Sequence, residues 1–222
     1  MHIPDGILPP VVAISSYGIT GGITWFCLRQ ISKQSNYEEQ IPKASLLTAA
    51  FFVSSLIHIP VPPFSIHLVL NGILGLVLGY FAFPAILIGL FFQAVFFQHG
   101  GLSTLGINAI IMGIPSIVAY YLWSLRKLSL FNNSISKNIL TFFVGSIAVF
   151  LSALIFVFIT LNTISSEFNI DTEKTAILTS LIGYGIQAII EGILTVMLVN
   201  FFAKVKPEIL DIDQSNRRQE IS

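Results

Sequence analysis

The chain has 222 residues, of which 54% are hydrophobic and 10% charged, and its mean hydropathy is +0.83; soluble domains carry about 25% charged residues. Eleven Lys and Arg balance eleven Asp and Glu, so no basic field suited to nucleic acid is present. With Cys27 as the lone cysteine, an internal disulfide or a CxxC metal site is excluded, and the composition is that of an integral membrane protein in a lipid bilayer.

In chain order, apolar segments run over 9–28, 44–59, 66–83, 85–98, 108–125, 139–161 and 176–203. They predict an all-α bundle of about seven transmembrane helices forming one domain over 1–222. Apolar sequence begins almost at once without a basic leader, so no cleavable signal peptide is expected. The second and fourth segments are shorter than the roughly 20 residues of a full span. Short spans need irregular backbone beside them, and that is tolerated at membrane depth only where protein or a cavity covers it.

Basic residues set the orientation. An outer N-terminus leaves the loop 29–43, a tight turn near Pro84, the loop 126–138 and the tail 204–222 in the cytoplasm. These hold ten of the eleven Lys and Arg, and only Lys174 falls outside, among Glu167, Asp171 and Glu173. The bias places the C-terminus inside. His2, His58, His67 and His99 all then lie toward the outer side.

The chain opens MHIPDG. Bulky His2 disfavours removal of Met1, so a free Met1 amine is expected. That amine and the deprotonated His2 amide nitrogen close a five-membered ring on a metal ion. The amide nitrogen and His2 Nδ1 close a six-membered one, leaving the fourth planar position open. A square-planar nitrogen set suits Ni(II) or Cu(II), whereas Zn(II) prefers a tetrahedron. Pro4-Asp5-Gly6 is a turn signature that can fold residues 1–8 back toward the bundle. Asp5 either stabilises this turn or braces the amine region.

The stretches MHIPDGILPP, PVPPFSIHLVLNGILGLVLG, FFQAVFFQHGGLSTLGINAIIMGIP and IIEGILTVMLVNF cover most of the chain. In that order they resemble the membrane-embedded substrate-binding subunit of energy-coupling-factor nickel/cobalt transporters, the CbiM/NikM family. The resemblance implies that the N-terminus inserts into the protein. Met1 would give its amine, His2 its backbone and ring nitrogens, and His67 of the S-x-H-L-x-x-N-G motif the fourth nitrogen. It implies Ni(II) or Co(II) as transported substrate with no organic cofactor, in the plasma membrane of a prokaryote. The implied partners are a transmembrane coupling protein, two cytoplasmic ATPase subunits and a small accessory membrane protein. No G-x-x-x-x-G-K nucleotide loop occurs in this chain, so the expectation is a transporter subunit without its own ATPase rather than an enzyme.

Other residues stay open on sequence alone. His99, in QHGG, is an axial ligand, a hydrogen-bond partner that orients His67, or an ordinary loop histidine. Asn71, four residues after His67, would share its helical face, and Ser65 of the same motif is a further neighbour. His58 precedes Pro60 and reads as an interface residue. Glu191 is the only charge in the last span, in a polar stripe with Gln187 and Thr195. It either bonds between helices or takes part in coupling. Gly72, Gly75 and Gly79 would let the third helix pack closely, and Gly18, Gly21 and Gly22 suggest a docking face for the coupling protein. A self-sufficient ion-coupled metal permease would carry more charge in its spans or an internal repeat, and an intramembrane metallohydrolase would need a motif such as HExxH, which is missing.

Overall fold

The computed structural model describes residues 1–61, 64–131, 133–163 and 170–210, with the side chains of 58–61, 64–66, 170–174 and 176 left aside. The described residues form α1 (Pro10–Ile31), α2 (Ile41–Ser54), β1 (His58–Val61), β2 (Phe64–His67), α3 (Asn71–Leu78), α4 (Ala82–Phe97), α5 (Leu105–Ser124), α6 (Ser134–Thr163) and α7 (Ile170–Val205). Among the described residues five segments are, by length and composition, long and apolar enough to cross a membrane: Pro10–Ile31, Asn71–Phe97, Leu105–Lys127, Ser134–Thr163 and Ile177–Val205. The protein is thus a bundle of membrane helices. The part of the tail beyond Leu210, with Arg217 and Arg218, and Glu167 lie outside the described residues.

α1 opens on Pro10, where the missing N–H would have had no helical partner. Val11, Ile14 and Trp25 stand 78%, 73% and 62% exposed along it, an apolar face that suits hydrocarbon rather than water.

Two expectations change at the centre of the chain. The segments 44–59 and 66–83 are not simple spans: α2 stops at Ser54, and PVPPFSIH turns into a two-stranded antiparallel hairpin pairing His58 with His67 and Val61 with Phe64. Pro60 cannot donate a helical hydrogen bond, so an extended course wins over a helix in β1. The reversal expected near Pro84 lies earlier, at Gly79, whose φ of +58° is open to glycine; Pro84 sits in the first turn of α4.

α3 is a half-span, eight residues long and buried along its whole length. It runs beside α5 from Met112, whose carbonyl accepts from Asn71 Nδ2 at 3.5 Å, down to Tyr120, which packs on Gly79. α4 then returns past Gly113, which faces the Phe83 ring, toward the first residues of the chain. Glycine makes this approach possible, as expected for Gly72 and Gly75. A Cβ on Gly75 would lie 1.9 Å from the Ser116 carbonyl oxygen, and one on Gly72 would lie 2.8 Å from Gly145 Cα. With so little lipid-facing surface, the irregular backbone around α3 sits inside protein, where its polar groups can be paired.

Candidate metal centre

Polar side chains from α4, α5 and α7 converge at the end of the bundle where β2 meets α3. The first five residues thread into this end. Met1 and Ile3 are 5% and 1% exposed, so the chain terminus belongs to the core. Asn108 on α5 grips Ile3 by both backbone groups: its Oδ1 accepts the Ile3 N–H at 2.9 Å and its Nδ2 donates to the Ile3 carbonyl at 3.0 Å. The Thr104 hydroxyl donates to the same carbonyl at 2.6 Å. An inserted segment has no helix to pair its backbone, so side chains of the host must do it.

Asp5 fixes the outer edge of the insertion. Its carboxylate accepts from the Ser103 N–H at 2.8 Å, the Ser103 hydroxyl at 2.5 Å and the Leu102 N–H at 3.2 Å. The Ser103 hydrogen bonds hold its pKa below the usual carboxylate range. Asp5 therefore ties the N-terminal turn to the loop after His99. Gly101 lies directly beneath it, where a Cβ would fall 2.0 Å from Asp5 Oδ1.

His2 is oriented by Gln93 of α4. Gln93 Nε2 donates to the Phe51 carbonyl at 3.4 Å, which leaves Gln93 Oε1 to accept from His2 Nε2 at 3.0 Å. The proton of the neutral imidazole is then on Nε2 and the lone pair on Nδ1, and Nδ1 is buried with no hydrogen-bond partner among the described residues. A buried lone pair without a donor is the condition a metal ligand meets. Burial drives the Met1 amine from its ordinary 8.0 down to about 5. It also holds the His2 ring well below 6.5, aided by the neighbouring amine, His99 and His67. Both groups are thus unprotonated donors near neutral pH.

Two more imidazoles complete the cluster. The His99 ring centroid is 4.2 Å from that of His2, and His67 lies 5.5 Å from His2 and 5.3 Å from His99. One ring nitrogen from each falls within 4.8 Å of the others. Nitrogens bound to one ion at about 2.0 Å each stand about 3–4 Å apart, so the three rings lie near the spacing that a shared ion requires and would have to close further to reach it.

Of the residues singled out in the sequence, Met1, His2, His67 and His99 gather here, with Asp5 at the rim. Asn71 does not share a helical face with His67, because β2 ends at His67 and α3 begins at Asn71. Its amide points instead to Ser152 Oγ at 2.8 Å and the Ala148 carbonyl at 3.4 Å on α6. His58 pairs with His67 through the backbone register, and the side chains of His58 and Ser65 are outside the described set. Sequence reasoning passed over Gln93, Thr104 and Asn108. Their signal was there: each is a polar residue inside or beside an apolar helix, and all three are buried.

Residues 2–209 match the family described as "Cobalt uptake substrate-specific transmembrane region". A protein of Haemophilus influenzae whose name assigns it only to metal transport is 40% identical over 127 residues, 57% of this chain and 59% of the relative. The "Fused nickel transport protein NikMN" of Rhodobacter capsulatus is 33% identical over 123 residues, 54% of this chain and 35% of the relative. The chain thus spans well under two thirds of these relatives' own length. A crystal structure of a truncated transition-metal transporter superposes with a TM-score of 0.72 at 22% identity, covering 92% of this chain and 99% of that one, which is a likeness of fold.

Proposed function

The chain belongs to the family of cobalt uptake substrate-specific transmembrane regions, and from that premise we propose that it is the substrate-capture subunit of an ATP-driven importer for Ni(II) or Co(II). The ion enters a nitrogen site made of the Met1 amine, the His2 amide nitrogen, His2 Nδ1 and His67, and His99 packs over the chelate. Asp5 and Asn108 hold the terminal segment in place, so the site is occluded by the chain that forms it. Orientation follows the basic residues: the histidine end faces outward, and Arg126, Lys127, Lys137 and Lys204 lie toward the cytoplasm. Transport then requires a transmembrane coupling protein and two cytoplasmic ATPases, with a small accessory membrane protein to aid loading.

The observation that carries this reading is the buried His2 Nδ1, a lone pair with no hydrogen-bond partner among the described residues, beside an unprotonated amine and two further imidazoles. The relatives' names supply the ions: cobalt in the family description and nickel in the fused relative. A planar nitrogen set favours Ni(II) between the two.

The test is Ni(II) titration and visible spectroscopy of the purified protein with and without one residue added before Met1. The added residue turns the amine into an amide, and most of the affinity and the planar-site absorption should vanish. His67→Ala should do the same, and His58→Ala should not. Equal binding by the extended protein would refute the terminal chelate.

A further inference from the structure

His67 is the one nitrogen of the proposed plane that does not come from the terminus, and it sits where regular structure breaks. β2 ends at His67, residues 68–70 belong to neither strand nor helix, and α3 starts at Asn71. Leu70 adopts φ 55°, ψ 9°, a left-handed conformation unusual for a leucine, and no side chain of its own neighbourhood caps α3. A segment of this kind, with Val69 2% exposed, needs partners for its backbone from elsewhere.

Those partners are on α7. Gln187 Nε2 donates to the His67 carbonyl at 2.7 Å. Four residues later, on the same helix face, Glu191 Oε1 accepts from the Val69 N–H and, at 3.2 Å, from the Leu70 N–H. Glu191 Oε2 accepts from Leu70 N–H as well, also at 3.2 Å. The Thr195 hydroxyl donates to the Glu191 carbonyl at 2.6 Å. All three side chains are 2% exposed. The polar stripe of the last span packs on Gly145 of α6 through Thr195, but its longest-range hydrogen bonds run elsewhere. They close on the strand-to-helix junction that carries His67.

We infer that Gln187 and Glu191 are positioning residues for the metal site: they hold the His67–Leu70 backbone so that the His67 ring meets the N-terminal chelate. The carboxylate acts as a hydrogen-bond acceptor for two amides, and one oxygen receives both. This inference rests on the reading of His67 as a ligand. Groups that orient metal ligands typically change affinity by about 10- to 100-fold when removed.

The experiment measures Ni(II) affinity and the visible spectrum of the saturated protein for E191L, E191Q and Q187L. E191L and Q187L should weaken binding by about 10- to 100-fold and move the absorption of the bound ion, since His67 is displaced while the terminal chelate stays. E191Q keeps the oxygen that receives both amides but loses the second acceptor toward Leu70, so it should bind far better than E191L and keep the spectrum of the unaltered protein. A purely structural role would lower thermal stability and leave the spectrum of the bound ion alone. Unchanged affinity and spectrum in folded Q187L and E191L would overturn the inference, and so would an E191Q protein as impaired as E191L, because then charge and not hydrogen bonding is what matters. Should E191L fail to fold, Q187L and E191Q still decide. A failure of the metal site itself shows separately, as undiminished binding by the chain extended before Met1.

Discussion

Asn108→Ala removes the residue that holds Ile3 from both sides. The Thr104 hydroxyl still reaches the Ile3 carbonyl at 2.6 Å, so only the Ile3 N–H loses its partner outright. A buried donor left unpaired costs about 1–3 kcal/mol, and the second lost hydrogen bond adds about 0.5–1.5 kcal/mol. The sum, about 1.5–4.5 kcal/mol, acts on the docked terminal segment and not on the helices, because Asn108 bonds to Ile3 and Thr104 alone among its described side-chain partners. Each 1.4 kcal/mol is a factor of ten, so Ni(II) affinity should fall by about 10- to 1,500-fold. The assay is competition titration in detergent against a chelator of known affinity, alongside amine acylation at neutral pH to report release of the terminus. Acylation should speed up in the variant, and the melting of the helical bundle should change little. An Asn108→Ala protein with affinity within about threefold of the unaltered chain would refute the argument that the segment is docked through this grip.

Two further outcomes follow from the same geometry. The Met1 amine is neutral in the folded, metal-free protein down to about pH 5, whereas the unfolded chain keeps its proton up to the ordinary 8.0; the unfolded state binds the extra proton between these values, so stability should rise with pH across that window. Melting between pH 5.5 and 8 should show this slope, and N-terminal acetylation should flatten it; equal slopes would count against an inserted amine. Gly101→Ala puts a methyl 2.0 Å from Asp5 Oδ1 and 2.7 Å from the Asp5 nitrogen. Overpacking of about 1–3 kcal/mol should lower Ni(II) affinity by about 5- to 150-fold, measured in the same titration.

Much of the helix order was legible because hydropathy reports depth in a membrane, and α1, α5, α6 and α7 are long apolar runs. The centre was not. Hydropathy cannot tell a hairpin from a helix end, and PVPPFSIH is apolar in either form; its prolines were the available clue. The 3.6-residue spacing of His67 and Asn71 likewise misled, because periodicity has meaning only within one continuous helix. Met1 and His2 could be gathered from the chelate rings that a terminal amine permits and His67 from the resemblance of its S-x-H-L-x-x-N-G motif, whereas the outer-side placement of histidines did not separate His99 from His58. Gln93, Asn108 and Gln187 could be noticed as polar residues in apolar helices but not matched to their partners, since these lie 91, 105 or 120 positions away, and backbone partners leave no mark in a sequence. Glu191 was legible as a costly intramembrane charge. Its target, two amides at a strand-to-helix junction, was visible only in three dimensions.

The inserted terminus reverses the order in which this protein can be completed during synthesis. Residues 1–5 leave the ribosome well before the groups that receive them, Gln93, Leu102, Ser103, Thr104 and Asn108, which come about a hundred positions later. The clasp that seats His67 comes later still, with α7, more than 100 residues behind the strand that it holds. Contacts between such distant parts of a chain carry a large loop-closure entropy and form late. The first residues must therefore wait, exposed at the membrane surface, until nearly the whole bundle has been inserted, and the site comes into being as one of the last acts of folding.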